Sequence, residues 1–366
     1  MSLMRLSTFW AVHGARSAAE EPGPLAQQIA TRWDHDPGTL RLFRASANSV
    51  YRFDTAGQPR FLRFAAHSER PRRLIEAEIN LLRWLLARSL DVVRPVPSAA
   101  GNLVETVEAD AGVFHAVVFE ALAGRQLQID DLDLDHFRAW GTALGRLHAT
   151  TSQCPVAVLD RRPSWRDDME QVGSFIPTHE TTVRREFDEL SRAVEGFPRG
   201  REYCGLIHGD FELDNLRWSD DETDAGDRDK TNGRRVTPST PGTPAMLDFD
   251  DCATHWYAAD IAYALRSVFD PGAGLDDAKV QAFVGGYRAH HPLDDDALAT
   301  VPLFSRLARL RGYATQIRAL DLPDSAEQPD WLRGLRRKLE TRTAAYAASL
   351  EPRTGHGEQG ETPDER

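Results

Sequence analysis

The chain has 366 residues, 41% hydrophobic and 27% charged, enough apolar material for one large domain or two ordinary ones without disulfide staples. Its formal net charge of -12 argues against a nucleic-acid partner, which needs a basic surface. Cys154, Cys204 and Cys252 form no C-x2-C pair and hence no structural zinc signature, and their sparse, odd number fits reduced thiols in a cytoplasmic protein.

Residues 1 to about 40 read as a lead-in with one helix around Leu25 to Trp33. Its longest apolar run, Phe9 to Val12, is too short for a signal-peptide core, and no later stretch approaches a membrane span. Three strands are expected next, at Leu40 to Phe43, Ser49 to Phe53 and Arg60 to Phe64, with a turn-rich loop from Asp54 to Pro59 joining the last two. Glu69 to Arg88 reads as a helix with Ile75, Ile79, Leu82 and Leu86 on one face. Glu78 shares that face, and a carboxylate on a buried stripe needs a partner; Arg63 on the preceding strand offers one.

After an irregular stretch from Asp91 to Pro97, Val113 to Phe119 reads as a β-branched strand. Ala121 to Gln128 crosses into a helical region, where Phe137, Trp140, Leu144 and Leu147 share one stripe. Strands, helix, strand, crossover and helices predict a small sheet lobe and a larger helical lobe with a ligand cleft between them. The boundaries are 1–120 for the first lobe and 121–350 for the second, with a polar tail at 351–366. Residues 219–244 hold almost nothing apolar and read as a disordered insertion at the tip of a hairpin, flanked by Leu216-Arg217-Trp218 and Met246-Leu247-Asp248.

The chemistry is concentrated in His208-Gly209-Asp210-Phe211-Glu212-Leu213-Asp214-Asn215 and in Leu247-Asp248-Phe249-Asp250. Phosphoryl transfer needs a carboxylate to take a hydroxyl proton and oxygen ligands to hold magnesium on nucleotide phosphates. Asp210 supplies the carboxylate, Asn215 an amide oxygen on the same side of a short loop, and Asp248 a charged metal ligand. Magnesium keeps several waters, so one Asn and one Asp suffice.

These residues resemble the aminoglycoside phosphotransferase and choline kinase superfamily, whose pattern is H-G-D-x4-N followed by a strand carrying I/L-D-x-x-D. His255 to Ala262 resembles the helix start that follows. The resemblance implies an α+β, protein-kinase-like two-lobed fold with a small antiparallel-sheet N-lobe and a mainly helical C-lobe. It implies ATP and Mg2+ as cofactors, Asp210 as catalytic base, and a small-molecule hydroxyl (an aminoglycoside, amino alcohol or similar) as acceptor. Phe61-Leu62-Arg63 and Ala77-Glu78-Ile79 resemble the strand and helix whose basic–acidic pair holds phosphate, here Arg63 and Glu78. Ser46 and Asn48 fall in the phosphate loop by the same resemblance, and Glu120 and Leu122 in the linker whose backbone meets adenine. His148 and His208 read as structural braces, and Asp260 as a helix N-terminal cap supporting the catalytic loop.

Glu212, Asp214, Asp250 and Asp251 crowd the acceptor side with negative charge and are candidates to bind a substrate ammonium group. A serine/threonine protein kinase of the same superfamily remains an alternative, as does a non-catalytic nucleotide-binding regulator.

Overall fold

The computed structural model describes residues 3–14, 22–159, 162–219, 242–269 and 272–351. Most of the insertion expected to be disordered at 219–244, and all but the first residue of the tail expected at 351–366, lie outside these residues. No helix among the described residues is long and apolar enough to cross a membrane.

Two helices open the chain, α1 (Leu6–His13) and α2 (Pro24–Ala30). The first was not expected, because its partner is remote: Leu6 and Trp10 pack against Leu332 and Leu339 near the other end of the sequence. Strands β1 (Arg41–Ala45), β2 (Ser49–Thr55) and β3 (Gln58–Ala66) follow as an antiparallel set. The β2–β3 hairpin runs further than its composition suggests. Only Ala56 and Gly57 form the turn, at φ 50° and 75°, the positive values that let a two-residue loop match strand twist.

Helix α3 (Arg72–Leu86) begins at Pro71, which supplies the N-cap, three residues later than the apolar pattern suggests. It buries Ile75, Glu78, Ile79, Leu82 and Leu85. Leu85 is fully buried and Leu86 half-buried against the same core, so the inward face is wider than the single stripe expected. Strands β4 (Pro95–Val96), β5 (Glu105–Ala109) and β6 (Gly112–Glu120) complete the sheet, in the order β1-β2-β3-β6-β4 with β5 also on β6. Strand β5 was not expected; it is short and carries two glutamates in five residues. Leu62 and Phe64 of β3 pack with Leu25, Ile29 and Phe114 on one side of the sheet. By strand alternation Phe61 and Arg63 face the other side, where Val50 and Val117 flank Arg63.

The second lobe holds α4 (Leu134–Thr151), α5 (Val156–Leu159), α6 (Trp165–Phe175) and α7 (Thr181–Glu195), then β7 (Cys204–Ile207), β8 (Leu216–Arg217), β9 (Ala245–Met246) and β10 (Ala253–Trp256). Helices α8 (Tyr257–Ala264), α9 (Arg266–Phe269), α10 (Ala278–Arg288), α11 (Asp295–Ala299), α12 (Val301–Ala319) and α13 (Asp330–Ser349) close it. Helices α4 and α10 touch at backbone distance, because a Cβ on Gly141 would run into the carbonyl of Phe283. That contact brings His148 on α4 against Tyr287 on α10, 2.8 Å from Nδ1 to the hydroxyl.

Two short ribbons position the motif residues. β7 pairs with β10, and β8 with β9 through Leu216↔Met246 and Arg217↔Ala245. The 208–215 loop joins β7 to β8, and the 247–252 loop joins β9 to β10. Pairing the four strands crosswise therefore pins the two loops side by side.

Candidate active site

The first loop is held from below by Asp260 on α8. Its carboxylate accepts hydrogen bonds from the backbone N–H groups of His208 (2.7 Å) and Gly209 (2.9 Å). His148 Nε2 lies 3.0 Å from the same carboxylate and donates to it. Burial alone would raise the Asp260 pKa, but the hydrogen bond and charge of His148, with His208, bring it below the usual value. Asp260 thus supports the catalytic loop through backbone N–H groups, as expected; it sits in the first turn of α8, but its carboxylate is taken by the loop and not by its own helix. His208 donates through Nε2 to the carbonyl of Leu247 (3.1 Å), joining the two loops. Burial lowers its pKa, with Asp260 and Asp210 opposing, so it is a neutral brace.

Gly209 adopts φ 82°, and a Cβ there would run into the carbonyl oxygen of Asp251. Gly209→Ala should therefore combine a clash with left-handed strain of about 1–3 kcal/mol. We expect a Tm lowered by several degrees and a loss of turnover of about tenfold or more. Calorimetry and steady-state kinetics test this; a variant matching the native protein in both would refute the tight packing of the two loops.

Asp210 follows directly. Asn215 donates its amide N–H to the Asp210 carbonyl (2.9 Å) and lies 3.4 Å from Asp210 Oδ2. Those contacts leave the Asn215 amide oxygen as the atom available to a cation. Asp248 sits at φ 64°, ψ 62°, a left-handed conformation uncommon for any residue but glycine and best tolerated by Asn and Asp. Burial and the charges of Asp250, Glu78 and Asp210 push its carboxyl well above the usual range, opposed only by Arg63. A bound cation would relieve that repulsion, so a divalent metal fits the donor set. Among the described residues no three His, Cys, Asp or Glu side chains form a metal cluster. The fit is thus to one carboxylate and one amide oxygen, with phosphate oxygens or water completing the shell.

Arg63 and Glu78 meet. Arg63 donates to Glu78 Oε2 at 2.5 Å and to Asp248 Oδ1 at 3.2 Å. The pair is buried, and its guanidinium lies 5.1 Å from the Phe119 ring centre. Phe61, two residues before Arg63, shares its face and packs edge-on against exposed Phe43, with ring centres 5.1 Å apart. This aromatic wall escaped the sequence reading, although the i, i+2 spacing from Arg63 was there to find it.

The phosphate-loop candidates are drawn into the network rather than left open. Asn48 is buried and donates to Asp250 Oδ2 at 2.7 Å; the Ser46 N–H bonds the Asn48 carbonyl and the Ser46 carbonyl accepts from Met4. In the linker, the Glu120 N–H is already used by the carbonyl of Arg94, and its side chain lies near Arg60 and Arg94. The Glu120 N–H is therefore already paired, which leaves its carbonyl as the backbone group able to meet a base.

The acceptor-side acids are likewise not open negative charge. Glu212 pairs with Arg266 (2.5 Å), Asp214 with Arg44 (3.1 Å), and Asp250 with Arg70 (3.1 Å). Asp251 lies 3.5 Å from Arg70 and 4.0 Å from Arg311. Arg70 also donates to the Asp250 carbonyl at 2.6 Å. An acidic rim expected from composition is thus an alternation of acids and arginines, which also supplies the local positive charge that phosphate needs. The arginines were missed because they come from distant elements. Arg70 carried one signal: a cation just ahead of a helix N-terminus opposes the helix dipole and calls for an anion nearby.

Glu212 is the titratable member of this set near neutrality. Burial, then the charge of Asp210, raises its pKa from 4.5 to about 7, while Arg266 opposes. The folded value lies above the unfolded one, so the unfolded chain ionises first as pH rises. Stability should therefore fall across pH 4.5 to 7 and level off above. Glu212→Gln lacks that term. It should match the native protein near pH 4 and gain on it by pH 8 in denaturant titrations; parallel curves would count against the assignment.

A model of the phosphotransferase enzyme family matches residues 39–225. Amicoumacin kinase of Bacillus subtilis (strain 168) is 25% identical over 332 residues, covering 87% of this chain and 92% of that protein. The solved structure of amicoumacin kinase hAmiN in complex with AMP-PNP, Ca2+ and Ami superposes with a TM-score of 0.68 at 27% identity, over 87% of this chain and 93% of that one. The microcompartment-associated aminopropanol kinase gives 0.66 at 26% identity, over 89% and 95%. These likenesses bear out the two-lobed α+β fold.

Proposed function

The chain belongs to the phosphotransferase enzyme family, and on that footing we propose that it moves the γ-phosphate of ATP to a hydroxyl of a small molecule, with magnesium as the cation. The observation that carries this reading is one cleft in which Asp210, Asn215 and Asp248, from two pinned loops, face the Arg63–Glu78 pair. Asp210 orients the acceptor hydroxyl and takes its proton as the new O–P bond forms and ADP leaves. Asn215 and Asp248 are the protein ligands of the cation, which when bound neutralises charge on the nucleotide phosphates. Arg63, fixed by Glu78, turns its remaining N–H groups to phosphate oxygens. Phe61 and Phe43 offer the base an aromatic face, and the Leu122 backbone a polar edge.

A cavity of about 280 Å³ lies beside the phosphate-loop residue Ala47 and is lined by Arg70, Asp168, Asp251 and Arg311 among others. It is walled by both lobes, but none of Asp210, Asn215 and Asp248 lines it, so its size does not bound the acceptor. The test is ADP release with magnesium-ATP and a panel of amino alcohols, hydroxy amino acids and aminoglycosides, with phosphorus NMR of the product. A phosphate monoester from at least one of them is expected. Release with polypeptide acceptors alone would shift the reading to a protein kinase, and release with none would overturn it.

A further inference from the structure

A second cavity, of about 390 Å³, lies in the C-lobe and shares no lining residue with the one beside Ala47. It opens between the segment after α7, the junction of β10 with α8, and the approach to α11. Its floor is aromatic: Trp256 and Tyr257 are 4% and 2% exposed, with Phe197 and Tyr203 beside them. Trp256 is fixed by its indole N–H, which donates to the Pro198 carbonyl at 2.7 Å.

The rim is acidic. Glu202, Asp294 and Asp296 line it and are exposed, and no Lys, Arg or His is among the lining residues. That contrasts with the catalytic cleft, where every candidate acid lies near an arginine. Asp294 is partly occupied, capping Ala297 N at 2.7 Å and accepting from the Tyr203 hydroxyl at 3.3 Å. Glu202 and Asp296 form no ion pair among the described residues. The negative field is felt by the Tyr203 hydroxyl, whose pKa is raised first by Asp294 and further by Glu202 and Asp296.

We propose that this cavity is a second ligand site, specific for an organic cation: a protonated or quaternary amine on an apolar body. Aromatic faces attract a cation through the ring quadrupole, and the effect grows when the cation leaves water. The rim carboxylates add attraction from outside and repel anions of the same shape. The volume lies within the ordinary range for small-molecule sites. A neutral apolar ligand would gain nothing from three acids at the mouth.

The site also adjoins the support of the catalytic loop. The Tyr257 ring centre is 4.7 Å from that of His148 and 4.4 Å from that of His291. His148 is the residue that holds Asp260. Tyr257 therefore lies between the cavity and the brace beneath His208 and Gly209.

Benzyltrimethylammonium is a suitable probe, because it carries no hydroxyl and cannot be phosphorylated. Its binding to the full chain can be followed by calorimetry and by intrinsic tryptophan fluorescence, with 4-toluenesulfonate as an anion of similar size. Saturable binding of the cation and none of the sulfonate is expected. The double variant Glu202→Gln, Asp296→Gln changes only exposed side chains, so its Tm should stay unchanged while affinity falls about tenfold or more. Failure of the cation to saturate by roughly 10 mM would overturn the proposal. So would equal binding of the sulfonate, or a double variant with native Tm and native affinity.

Discussion

Asp210→Asn is expected to cut turnover by at least about a hundredfold, the usual scale for losing a positioned general base, and to leave magnesium-ATP affinity within about twofold. The substitution is nearly isosteric. The Asn215 amide bonds the Asp210 carbonyl, not chiefly its side chain, so the loop keeps its main anchor. The Asp260 contacts to His208 and Gly209 are backbone contacts and are also untouched. What is lost is a carboxylate able to accept a proton. Steady-state kinetics and calorimetry with magnesium-ATP separate the two terms. Unchanged turnover would sink the assignment of Asp210 as base. A collapse of nucleotide affinity along with turnover would make Asp210 a metal or phosphate residue instead.

How much of this was legible in the sequence depends on the distance over which each interaction acts. The two motif loops were readable because each is short and its residues are contiguous. Glu78 was readable because a helical period placed a carboxylate on an apolar stripe, and Arg63 was the near partner. The ends of the β2–β3 hairpin were misjudged because turn-forming composition spread over six residues while the turn needs two. Helix α1 and the arginines of the cleft were not readable, since each is defined by a partner far along the chain; strand β5 escaped although it forms a hairpin with β6 through Ala109↔Gly112, because its charged residues mask the strand pattern. Arg44 meets Asp214 at a separation of 170 residues, and Arg70 meets the Asp250 carbonyl at 180. Asp260 shows the same limit in one residue. Its support of the catalytic loop was legible by resemblance, but the atoms involved, the N–H groups of a loop 51 residues earlier, come only from the fold.

The two aspartates of the second loop should answer substitution in opposite ways. Asp248 is held among Asp250, Glu78 and Asp210 with Arg63 alone opposing, so its charge works against the folded state when no cation is bound. Asn tolerates the left-handed backbone at that position about as well as Asp. Asp248→Asn is therefore expected to match or exceed the native Tm in the absence of ligand. In saturating magnesium-ATP the order should reverse. The native protein gains about 2.7 kcal/mol when ligand stands a hundredfold above its Kd, and a variant without the metal carboxylate gains little. Asp250→Asn should do the contrary. Its carboxylate holds Asn48 at 2.7 Å and Arg70 at 3.1 Å, joining the phosphate loop and the start of α3 to the metal loop. Removing that charge leaves Arg70 underpaired, so Tm should fall without ligand while a magnesium-dependent shift persists. Thermal unfolding of both variants with and without magnesium-ATP decides between them. If Asp250→Asn lost the shift and Asp248→Asn kept it, the metal carboxylate on this loop would be Asp250, and the left-handed turn at Asp248 would serve only to aim the chain.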